Sequence, residues 1–159
     1  MAGASVDVQT MAYLSVHDIV WINTMLAGRT LRFNYITLEE AMAAQYSYGN
    51  STNVPVQAAN LLKVLVAKKP FEFGNIRTGF IATTAFLLAN GYALKAEDAQ
   101  CAETILALAN GRISADEAIA ALAEPSESAM RPGVTLRSLV TAIFGAHESA
   151  LQSLAQGDE

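Results

Sequence analysis

Apolar residues recur three and four positions apart along most of the chain, the spacing of one face of an α-helix. The first run follows Ser15, which with Asp18 forms an S-x-x-[DE] capping signal. Ile19, Ile22 and Leu26 then share a side, and Gly28 supplies a stop. A Thr37–Glu40 capping box predicts a second helix carrying Leu38, Met42 and Gln45 along one side. "YSYGNSTNVP" (46–55) is dense in turn residues and reads as a loop with room for a short strand or hairpin. Pro55 suits the first turn of a helix over about 56–68, where Ala59, Leu62 and Val66 align beside Leu61 and Leu65. From about Arg77 to Asn90 the pattern is apolar nearly all round, as expected of a helix at the centre of a domain. Helical patterns return over 95–111 and over 114–125, the latter with a Ser114–Glu117 box and a stop at Pro125. A last helix over 134–155 places Leu136, Val140, Ile143, Phe144, Ala150, Leu151 and Leu154 on one face. About seven helices and almost no strand pattern predict an all-α bundle around the central helix at 77–90, with an extra helix at its C-terminal side.

The division expected from these patterns is a loose lead-in over 1–12, a helical domain over 13–124, a turn-rich connector over 125–133 and an amphipathic helix over 134–155. The helix at 134–155 packs on its own domain or at a homodimer interface. The stretch "AQGDE" after it is polar and expected to fray. Composition agrees: of 159 residues 52% are hydrophobic and 16% charged, enough apolar material for one cored domain. The net charge of −5 and the lack of a basic run longer than Lys68-Lys69 disfavour nucleic acid and an anionic membrane surface as partners. The apolar run "GFIATTAFLLA" (79–89) is too short to span a bilayer, and "MAGASVDVQTM" has no signal-peptide pattern. With Cys101 as its single cysteine, reading as a small core residue, the chain suits a reducing, cytoplasmic setting.

One stretch does not fit a plain bundle. "KKPFEFGNIRTG" (68–79) sets a Gly-Asn pair, an Arg and a Thr between two apolar helices. Glycine before a helix can expose backbone N–H groups to an anion, and arginine offers a fixed fork of donors. The stretch resembles the signature of the Fic/Doc ("death on curing") family, H-P-F-x-[DE]-G-N-[KG]-R-T-[GA]. Pro70, Phe71, Gly74, Asn75, Arg77, Thr78 and Gly79 match it. "AFLLANGYAL" (85–94) is similar to the family's continuation, and "YLSVHDIVWIN" (13–23) to the opening helix of Doc proteins. The resemblance spans roughly 13–123. It implies a helical Fic/Doc fold in which Gly74, Asn75, Arg77 and Thr78 bind the phosphates of a nucleotide, with a nucleoside triphosphate as the implied ligand.

The departures from that pattern bear on chemistry. Lys69 stands where the family has its catalytic base histidine. An ordinary lysine, with a pKa near ~10.4, holds its proton at neutral pH and becomes a base only when burial or nearby cations lower that value. Phe73 stands where the family has its acidic metal ligand, which disfavours Mg²⁺. Ile76 replaces a Lys or Gly. Phe80 aligns with the second arginine of nucleotidyl-transferring members, which places the chain nearer the Doc branch, whose activity is phosphate transfer onto a translation elongation factor. No Glu is followed by Gly or Asn, so the family's inhibitory-helix motif is absent, and the resemblance implies an antitoxin-like chain or a protein target as partner. His17 and His147 read as a helix-surface residue and a core or interface residue, not as replacement bases. Three functions follow as expectations. The first is a degenerate Doc-like binding or regulatory module without transferase activity. The second is a divergent active toxin transferring phosphate or AMP to a protein hydroxyl. The third is a purely structural or interaction protein.

Overall fold

A helix leaves its first N–H groups without partners, so what caps each helix decides where it begins. The computed structural model describes residues 11–127 and 134–158. The lead-in expected over 1–12 falls outside it up to residue 10, and the expected connector does so over 128–133. Helix α1 (Val16–Ala27) starts with the predicted reciprocal box: Ser15 Oγ accepts from Asp18 N, and Asp18 Oδ2 accepts from Ser15 N. Gly28 ends it in the left-handed region. Helix α2 (Tyr35–Tyr46) begins earlier than the Thr37–Glu40 box predicts. Asn34 caps it, its Oδ1 accepting from Thr37 N. Asn34 wins because its own N–H donates to Pro70 O, which holds it in the extended conformation a cap needs. Helix α3 (Val54–Lys68) is capped by Asn53 with Pro55 in its first turn. Of the loop expected over 46–55, residues 47–53 are a loop and form no strand, while Tyr46 closes α2 and Val54 and Pro55 open α3.

Helix α4 (Asn75–Ala89) is the central one and starts two residues before the predicted Arg77. Gly74 precedes it at φ 79° and has no side chain with which to cap it. Phe80, Ile81, Ala82, Ala85, Phe86 and Leu87 are all buried on it. Taking each of its large side chains out of water stabilises the fold by roughly 1.5–3 kcal/mol. Helix α3 packs along one flank of α4, with α2 behind α3, and α1 on another flank.

After α4 come strand β1 (Tyr92–Leu94), helix α5 (Asp98–Ala109), helix α6 (Ala115–Leu122, with the predicted Ser114–Glu117 box) and strand β2 (Ala123–Pro125). The strands pair antiparallel with Tyr92 opposite Pro125 and Leu94 opposite Ala123. Three residues are too few to show a period-two pattern, which is why the sequence reading missed them. The fold remains all-α apart from this pair and an isolated Phe33–Phe71 bridge among the described residues.

The single helix expected over 134–155 is two: α7 (Leu136–Ala146) and α8 (Glu148–Ala155), meeting at His147. Asp98, at the start of α5, makes that break. His147 Nδ1 lies 2.8 Å from its Oδ1, and its Oδ2 accepts from Ser149 Oγ at 2.6 Å and Ala150 N at 3.3 Å. The bend lays α7 on α4 and α8 on α5, burying Val140, Ile143, Ala150, Leu151 and Leu154 within the chain's own domain. Arg137 of α7 lies 4.5 Å over the Trp21 ring of α1. Residues 11–14, partly assigned to a loose lead-in, are pinned. Asn90 exchanges two 2.8 Å bonds with the Ala12 backbone, and buried Gln45 does the same for Leu14 at 3.0 and 2.7 Å.

Candidate functional site

The 68–79 loop is built by side chains that copy backbone pairing. Asn75 turns back on Phe71, its Oδ1 accepting from Phe71 N and its Nδ2 donating to Phe71 O, both at 2.9 Å. This closes Phe71–Asn75 into a rigid ring, so Asn75 is used as a brace. From α1, buried Asn23 donates Nδ2 to Phe73 O at 3.1 Å and to Thr78 Oγ1 at 3.2 Å. Thr78 is fully buried, and its N–H is committed to Gly74 O, so its groups face the fold's interior. Gly74 is needed twice over: its φ is left-handed, and a Cβ there would sit 3.2 Å from Asn23 Nδ2. On the outer side, Glu72 N donates to Arg32 O. The Arg32 N–H, bonded at 3.0 Å to the Glu72 carboxylate, is the main reason Glu72 titrates below the usual carboxylate range.

At the first turn of α4 the N–H groups of Ile76 and Arg77 converge on one spot. A carboxylate occupies it. Asp158 Oδ1 accepts from Ile76 N, and its Oδ2 accepts from both Arg77 N and Arg77 Nε, each at 2.9 Å. The Asp158 side chain is 2% exposed and that of Arg77 17%. Over residues 155–158 this corrects the expectation that "AQGDE" frays, Glu159 lying outside the described residues: Gly157 N donates to Leu154 O and Asp158 N to Ala155 O, forming a turn that delivers the carboxylate. Beside Arg77 opens a groove of about 490 Å³, bounded by Phe144, Gly145, Glu148, Leu151 and Gln152.

Of the residues singled out in the sequence, Gly74 and Arg77 lie at this spot, Asn75 braces the loop behind it and Thr78 faces inward. Lys69 is exposed at the C-terminus of α3, in the left-handed region at φ 47°. Phe73 is half-buried and contributes its carbonyl to Asn23. Ile76 is buried, offering the site its N–H alone. Phe80 is core, edge-on to His147 with ring centroids 5.9 Å apart. His17 is exposed and His147 is half-buried against Asp98. Among the described residues no three His, Cys, Asp or Glu side chains gather as a cation site, and no helix is long and apolar enough to cross a membrane. Sequence reasoning missed Asp158, Asn23 and Asp98. The one available signal for Asp158 was indirect: a central helix preceded by glycine has no local cap, so an acceptor must come from elsewhere. The chain matches no family model, no curated protein and no solved structure.

Proposed function

We propose that this chain is a degenerate Doc-like protein, an oxyanion-binding or regulatory module that does not carry out phosphate or nucleotide transfer. The observation behind this reading is the carboxylate seat at the start of α4, where two backbone N–H groups and the Arg77 Nε hold two oxygens at 2.9 Å. That donor set suits the oxygens of a phosphate group, and the positive end of the α4 dipole adds to it. Proton transfer is poorly provided for. Lys69 is exposed and lacks the burial a lysine base needs, and Phe73 offers no carboxylate. The ligand class is a phosphate-bearing small molecule such as a nucleoside triphosphate, and the partner class is a protein chain, either an antitoxin-like one or a target.

The test is transfer of labelled phosphate or AMP from a nucleotide to lysate proteins. A Lys69→His/Phe73→Asp variant, which restores the two missing groups of the motif, serves as the reference. No transfer by the native chain is expected. Robust transfer by it would replace this reading with that of a divergent toxin using Lys69.

A further inference from the structure

The seat at the start of α4 is already filled, and by a residue 82 positions away from Ile76. We propose that Asp158 is an autoinhibitory latch, and that a phosphate-group anion reaches Ile76 and Arg77 only by displacing it. The inference rests on the reading of that seat as an oxyanion site and adds how access to it is controlled.

Three features carry it. The carboxylate takes both helix N–H groups and the Arg77 Nε at once, and with its side chain 2% exposed it leaves no room for a second anion on the same donors. The segment that delivers it is short and separately anchored. Helix α8 has eight residues, is tied at its start to Asp98, and ends in the single turn Gln156–Asp158. Gly157 lies so close to Leu106 that a Cβ there would sit 3.0 Å from its Cδ2, which sets the reach of the turn. Finally, Arg77 is only partly committed. Among the described residues its two terminal nitrogens form no hydrogen bond, and the open groove borders the side chain. An incoming oxyanion can therefore engage the guanidinium from the groove before Asp158 leaves, as exchange of one anion for another requires. The latch breaks no bond but hydrogen bonds, so the device is reversible.

The experiment is an NMR titration of the full chain and of Asp158→Ala with inorganic phosphate and, separately, with ATP. It follows the Ile76 and Arg77 amides, with circular dichroism as the check on folding. The variant is expected to bind at least about ten-fold more tightly than the native chain. A gain shared by inorganic phosphate names the phosphate group as the ligand, and a gain confined to ATP names a nucleotide as its source. Both support the latch. Equal affinities for the two proteins overturn the latch and leave the oxyanion site standing. A folded variant that binds neither anion overturns both. If Asp158→Ala does not fold, Asp158→Asn keeps the shape without the charge. In the native chain, hydrogen exchange across α8 is then expected to quicken as phosphate is added, and unchanged exchange at saturating phosphate counts against the latch.

Discussion

Gly74 works under two constraints that no other residue type meets together. Its φ of 79° disfavours any Cβ, and a Cβ would also press on the Asn23 amide that fastens the loop to α1. Gly74→Ala is therefore expected to lose about 1–2 kcal/mol from the left-handed backbone alone, with further loss from the displaced amide. Urea denaturation checks this. A change below about 0.5 kcal/mol would mean the loop relaxes freely. Cys101 is a contrasting case, a residue with no role at the site. It is fully buried on α5, and burial, with the Asp98 charge adding to it, pushes its thiol up to about 11. Thiolate is the reactive form, so a disulfide reagent at pH 8 is expected to label the native chain far more slowly than the urea-unfolded chain. Equal rates would place Cys101 at the surface.

At the scale of elements, five helices begin on a local side chain: Ser15, Asn34, Asn53, Ser114 and Thr135. Two of these boundaries, Ser15 and Ser114, were legible because cap and box partner lie within four residues. Asn34 was not, because a contact with Pro70 selected it over Thr37. Among the described helices α4, α5 and α8 have no local side-chain cap, and an aspartate serves α4 and α8 from a distance. Asp98 caps α8 and breaks the long amphipathic pattern at His147, a break the unbroken apolar spacing from Leu136 to Leu154 conceals. Partial burial opposes the charged form of Asp98, but the bonds from Ser149, His147 and the Ala150 N–H outweigh it and hold its carboxyl below the usual range. A group depressed in the folded state stabilises fully above its unfolded value, near ~3.9, and loses that contribution as pH falls through its lower folded value. Asp98→Asn is thus expected to cost about 1–2 kcal/mol near pH 7, roughly 2–8 °C in Tm. Its difference from the native chain should shrink as pH drops below about 4. Thermal melts across pH 2–7 read both, and a difference that stays constant across that range would remove Asp98 as the cap.

For the whole molecule, the question is what joins the C-terminal segment to the central helix. The apolar pattern showed that α7 and α8 must bury a face. It did not show that the polar residues beyond them also matter, because a lone aspartate after glycine carries no spacing signal. The motif likewise located the donors at Gly74–Arg77 but not their occupant, since the pairing spans some 80 residues and depends on the whole chain being folded. This makes Arg77 and Asp158 a long-range tie, and its energetics are unlike those of a surface ion pair. Removing Asp158 leaves two helix N–H groups and the Arg77 Nε without their acceptor. Removing Arg77 leaves a nearly buried carboxylate held only by two backbone N–H groups. Each single loss is expected to cost about 1.5–3 kcal/mol, the range for hydrogen bonds to a charged group. Removing both also removes the mismatch each one creates, so Arg77→Ala/Asp158→Ala should cost less than the sum by about 1 kcal/mol or more. A double-mutant cycle in urea measures that term. A coupling near zero would mean that Asp158 acts only on the backbone of α4. In that case the anion seat belongs to the helix, and Arg77 is free to serve the groove beside it.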